Sequence, residues 1–183
     1  ELDRFPESQF TDAAFWNTET DLTNACNRLY QLLAGFQLDS RGDDNVNQTA
    51  NSISNGTRNV PATSGDWSNA YRDIFTANNI LEKGGKAQVS ESVRNRYFGE
   101  ARFFRASAYF GLVQKYGDVP LLLKTLDVNA PELSQPRTPR AEVIQAIYDD
   151  LDFAAQWLPT RQQLPAAQYG RVTRSSALAL KAR

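Results

Sequence analysis

The chain has 183 residues, with 20 basic against 21 acidic side chains, so the positive field expected of a nucleic-acid binder is missing. It has no histidine and a single cysteine, which excludes a Ser-His-Asp triad, a Cys-His dyad, an internal disulfide and the common zinc sites, and leaves carboxylates, Lys, Tyr and Ser as the only chemistry. A chain of this length buries roughly 70% of its unfolded surface in one domain, and its apolar runs fall far short of the roughly 20 residues that span a bilayer.

The opening ELDRFPESQF is interrupted by proline and predicts an extended arm, with a short helical turn toward Phe15 and Trp16. It shows neither an initiating Met nor a basic-then-apolar leader, the pattern expected of a processed or trimmed product. The stripe Leu22, Cys26, Leu29 and Leu33 predicts a first helix over 18–34, with Gly35 as its C-terminal cap and Cys26 as a buried small hydrophobe. Residues 36–66 then become rich in Asn, Ser, Thr, Asp and Gly, a long polar loop of the kind that is either functional or disordered.

Trp67, Ala70, Tyr71, Ile74, Ala77, Asn78 and Leu81 predict a second helix over 66–83, ended by Gly84-Gly85. A third and longest helix starts near Ser90 on the stripe Val93, Tyr97, Ala101, Phe104, Ala108 and Leu112. Its opposite side is apolar too, so it is expected to be central. Gly117 supplies the left-handed residue after it, Pro120 prevents resumption, and 121–124 read as a short extended piece. Thr138 is expected to cap a fourth helix with Pro139 at its first position and the stripe Val143, Ile147, Leu151, Ala154 and Leu158, closed by Pro159. Thr173 is expected to cap a fifth, carrying Ala177, Leu178 and Leu180, whose pattern runs to Arg183 with no stop signal. The natural protein is therefore expected to continue. Long helices joined in this way suggest a solenoid of helical hairpins, although the spacings do not give a clean 34-residue repeat.

Four stretches occur in a fixed order: LDRFP; Trp67-Ser68-Asn69-Ala70-Tyr71 with Ile74 and Ala77-Asn78; GEARFFRASAYFGLVQKYGDVP; and Pro136-Arg137 followed by EVIQAIYDDLDFAAQWLP and GRVTRSSALALKAR. Together they resemble the amino-terminal portion of the SusD/RagB family. The resemblance implies an all-α fold of irregular tetratricopeptide-like helical hairpins with long loops, residues 1–183 forming the amino-terminal helical region. It also implies a surface-exposed outer-membrane lipoprotein of Bacteroidetes that binds oligosaccharide or polysaccharide without cleaving it. Such proteins deliver the glycan to a SusC-like TonB-dependent transporter, need no cofactor or metal, and touch the membrane through a lipid anchor that this chain lacks.

Two sets of residues compete for function. Glu100, Arg105, Tyr109, Tyr116, Gly117, Asp118 and Pro120 are expected to form a structural joint. In it, Arg105 lies over Tyr109 one turn on, Arg102 and Arg96 reach Glu100 or neighbouring helices, and Asp118 ties down backbone amides. Asp149, Asp150 and Asp152 spread around one helix and suggest a solvated face with one helix-helix contact rather than an acid and base pair. In the loop, Arg41, Asp43, Asp44, Asn47 and Arg58 offer the paired donors and acceptors that sugar hydroxyls need. Trp67 offers a ring for stacking, or a core anchor at the helix start. Arg41-Gly42-Asp43 and the sequons at Asn47 and Asn55 are short enough to recur by chance. Two other classes stand beside glycan capture: a helical-repeat adaptor binding protein or peptide, and a helical glycoside hydrolase, which needs two carboxylates roughly 5–9.5 Å apart.

Overall fold

The computed structural model describes residues 15–31, 33, 48–49, 51–52 and 55–183. Five α-helices occur among them: α1 (Glu19–Tyr30), α2 (Gly65–Lys83), α3 (Glu91–Tyr116), α4 (Arg140–Trp157) and α5 (Arg174–Ala182). Short 3-10 turns at Gly84–Lys86, Pro131–Ser134, Arg161–Gln163 and Ala166–Gln168 punctuate the connections. The described residues contain no strand, only an isolated antiparallel bridge between Val119 and Thr138.

Local chemistry sets the helix starts. Thr18 accepts from the Asp21 amide at 3.2 Å while Asp21 Oδ2 accepts from the Thr18 amide at 2.8 Å, a reciprocal capping box that also holds the Asp21 carboxyl below its ordinary pKa. Ser90 and Thr173 cap α3 and α5 through their hydroxyls. The expected start of α4 moves by one residue, because Pro139 stands in the cap position and Arg140 opens the helix. Thr138 is drawn instead into the bridge with Val119, and its Oγ1 accepts from the Leu121 amide at 3.2 Å. The first helix ends at Tyr30, earlier than its stripe suggests, and Leu33 is exposed. Ala34 and Gly35 lie outside the described residues.

α3 is the central element: α2 and α4 pack against it, α1 lies on α2 and α3, and α5 covers α4. Tyr97, Ala101, Phe104, Ala106, Tyr109 and Leu112 are buried from several sides of this one helix. Small residues allow the close approach. A Cβ added at Gly99 would stand 3.3 Å from Leu158, and one at Gly84 only 2.8 Å from Phe98, so a larger residue at either would push these side chains aside, most of all at Gly84. Cys26 is fully buried, lies with its Sγ 3.6 Å from the Tyr97 carbonyl, and has its thiol pKa pushed up by burial and by Glu100. No helix among the described residues is long and apolar enough to cross a membrane.

Candidate functional site

Two kinds of polar structure surround α3, one closed and one open. The closed kind is a pair of buried ionic joints. Arg105 does not lie over Tyr109. Its Nε and Nη2 donate to the two oxygens of Asp150 on α4 at 2.7 Å each, and its Nη1 donates to Asn78 Oδ1 on α2 at 2.7 Å. Asn78 Nδ2 in turn donates to the carbonyls of Leu122 and Lys124, both at 3.0 Å. The Tyr109 hydroxyl donates to the Leu122 carbonyl at 2.9 Å and accepts from its amide at 2.7 Å, and burial pushes this phenol up to about 12. Tyr71 completes the grip by donating to the Pro120 carbonyl at 2.8 Å. The extended piece after YGDVP is thus held to the helices by side chains standing in for a neighbouring strand.

Glu100 forms the second joint, across the opposite part of α3. Arg171 donates to it through Nε at 3.0 Å and Nη2 at 2.8 Å, and the Tyr30 hydroxyl donates to Oε2 at 2.9 Å. That hydroxyl also accepts from the Val172 amide at 3.0 Å, and its phenol pKa is raised far above the ordinary range by burial and by Glu100. Arg102 and Arg96 turn to neighbouring elements rather than to Glu100. Arg102 stacks 4.1 Å from the Phe153 ring centre and lies 3.7 Å from Asp150, while Arg96 bonds Gln168. Local spacing had nominated partners one turn away. The folded chain supplies bidentate partners 71 and 45 residues away, which match the planar guanidinium better.

The turn after α3 behaves similarly. Gly117 adopts φ +71, and Asp118 Oδ1 accepts from the Arg140 amide at 2.8 Å, so it caps α4 rather than only its own turn. Tyr116 shares a 2.7 Å hydrogen bond with Ser64, and its ring stands edge-on to Trp67 at 5.1 Å. Trp67 is half-buried between Tyr71 and Tyr116, with Arg137 over its ring at 5.6 Å, so it is engaged in packing. Arg58 is exposed. Arg41, Asp43, Asp44 and Asn47 lie outside the described residues.

The open structure is a groove of about 400 Å³ between α2 and α3. Asp66, Asn69 and Asp73 line it from α2, Ser107, Gly111 and Lys115 from α3, and Phe104, Ala108 and Leu112 form its apolar floor. Leu33, after α1, and Asp66, in the first turn of α2, also line it. Lys115 pairs with Asp66 at 2.8 Å. Among the described residues Asp73 Oδ1 is shut off from solvent and accepts no hydrogen bond, and Arg72 Nε stands 3.9 Å from it. Desolvation raises the pKa of this carboxyl, against the opposing pull of Arg72 and Arg28. Sequence reading missed the groove, because Asn69 and Asp73 sit on the polar side of an amphipathic helix, where charges are ordinarily only solvated.

A profile of the SusD-like family, described as starch-binding and associating with the outer membrane, matches residues 2–183. The chain belongs to the SusD-like family. A SusD-like protein of Formosa agariphila is 28% identical over 88% of this chain and 35% of its own, and one of Bacteroides ovatus is 27% identical over 84% and 30%. The SusD-like fold is equally plain in three dimensions. A crystal structure of a SusD-like protein from Bacteroides fragilis superposes with a TM-score of 0.81 at 28% identity, over 98% of this chain and 37% of that one. A SusD-like protein described as laminarin-binding does so at 0.72 and 26%, over 90% and 39%. The chain therefore spans about a third of the length of the curated relatives it matches.

Proposed function

We propose that the protein captures oligosaccharide or polysaccharide at the outer membrane, without cleaving it, and delivers it to a SusC-like TonB-dependent transporter. The observation that carries this reading is the starch-binding, outer-membrane-associated profile running over residues 2–183. The likeness to a laminarin-binding protein supports it further. The proposed contacts are Arg41, Asp43, Asp44, Asn47 and Arg58 in the 36–66 connection, with Trp67 at its end. The natural protein, on this reading, continues beyond residue 183 as its relatives do, and a lipid anchor holds it at the cell surface.

A glycan array probed with the full-length protein tests the reading, with Asp43 and Asp44 changed together to Ala alongside. Wild-type binding to glucan oligosaccharides without release of reducing ends is expected, as is weaker binding by the double variant at an unchanged melting temperature. Absence of binding across the array would remove the glycan reading; equal affinity of the double variant would remove these two aspartates from the site.

A further inference from the structure

The glycan reading makes no use of Asn55-Gly56-Thr57, in the connection between α1 and α2, the one place in this chain where asparagine precedes glycine. All three residues are exposed. The Asn55 side chain is nevertheless held in place: its Oδ1 accepts from the Thr57 amide at 3.1 Å and from the Thr57 hydroxyl at 2.7 Å. This Asx turn folds the carboxamide back along the Gly56 peptide and polarises its C=O bond. Gly56 adopts φ +70, and a Cβ built on it would meet nothing within 4 Å, so no neighbouring group shields its peptide nitrogen. A nucleophile next in the chain, an electrophile turned toward it, and two donors on the oxygen that gains charge are the requirements of an intramolecular acyl transfer.

We propose that Asn55 is a site of spontaneous deamidation through a cyclic imide, assisted by Thr57. The Gly56 peptide nitrogen, its proton taken by hydroxide, attacks Cγ of Asn55. The new N–Cγ bond closes a five-membered ring, and the charge that gathers on Oδ1 is held by the Thr57 amide and hydroxyl. The Cγ–Nδ2 bond then breaks, and Nδ2 takes a proton from water and leaves as ammonia. A second water opens the ring at either carbonyl. One opening gives aspartate, the other isoaspartate, whose main chain runs through the former side chain. Either product places a new carboxylate shortly before Arg58, and isoaspartate also lengthens the backbone there. The inference stands apart from glycan capture and takes nothing from it.

The test follows the chemistry of the full-length protein during incubation at mildly alkaline pH, read by peptide mass spectrometry, beside Thr57→Ala, Thr57→Ser and Gly56→Ala. In the wild type, residue 55 should become a mixture of aspartate and isoaspartate well ahead of the exposed Asn59 and Asn69, and faster as pH rises. Thr57→Ala keeps the backbone donor and loses the hydroxyl, so conversion should slow about threefold, and Thr57→Ser should restore it. Gly56→Ala sets a Cβ beside the attacking nitrogen and should slow conversion about tenfold or more. The changes lie in an exposed connection, and an unaltered melting temperature checks that the fold is kept. An Asn55 that persists while Asn59 and Asn69 convert would overturn the site. Aspartate without isoaspartate would show direct hydrolysis and overturn the ring, and an unchanged rate in Thr57→Ala would overturn the part given to its hydroxyl.

Discussion

The joint at Arg105 and the groove at Asp73 share α2 and α3, the joint reaching on to α4, yet they treat their charges in opposite ways. Arg105 is 5% exposed, and its guanidinium meets Asp150, Asn78 and the Leu123 carbonyl; Asp73 is better hydrated overall but holds an oxygen that nothing fills. A buried charge that is fully paired fixes one arrangement of helices and is costly to disturb. One that is partly paired is a small standing cost. The contrast separates the closed joint from the open groove more sharply than residue type does, since both regions mix carboxylates, amides and rings.

The largest test of this contrast is Arg105→Ala. It leaves Asp150, 3% exposed, without its bidentate partner and with only Arg102 at 3.7 Å, for which about 3 kcal/mol is expected and a fall in melting temperature on the order of 10 °C. Calorimetry on the full-length protein reads this directly, and sugar affinity should stay the same. A stable variant with lost affinity would move Arg105 from the scaffold to the site. Tyr109→Phe is a gentler probe of the same joint. It strips the Leu122 amide and one of the two donors to the Leu122 carbonyl at once, for a loss of about 1–3 kcal/mol, with faster amide exchange confined to the extended piece after Pro120. Uniform exchange across α3 would show that the phenol supports the helix rather than the strap.

The smallest expected effect belongs to the groove. Desolvation raises the folded pKa of Asp73 above its unfolded 3.8, so this group favours folding relative to its ionised state only at low pH. Its contribution is fully present below about pH 3.8 and is lost as pH rises through the folded value. Asp73→Asn should therefore match the wild type in acid and be slightly more stable near neutrality. A neutral-pH loss of stability would show that the carboxylate is paired after all.

Much of the fold was legible in the chain. Thr18, Ser90, Thr173, Gly117 and the apolar stripes lie within a few residues of what they control, so their effects follow from backbone sterics and local hydrogen bonds. The motif GEARFFRASAYFGLVQKYGDVP also announced a joint and a family. What spacing could not supply was the partner of each charge. Arg105 and Tyr109 are one turn apart and suggested stacking, whereas the guanidinium found Asp150, and Glu100 found Arg171. Those pairs exist only because α3 and α4, and α3 and the segment before α5, are brought together by the burial of Tyr97, Ala101, Leu151 and Ala154. The groove is likewise a tertiary product. Its polar residues are ordinary solvated positions on two separate helices until packing sets those helices side by side and leaves the space at Gly111 unfilled. Sequence by itself determined which segments are helical, to within a few residues at their ends, and which family they belong to, because those are short-range properties; the third dimension decided the exact ends of α1 and α4 and which charges are spent in the scaffold, because desolvation and pairing depend on neighbours far along the chain.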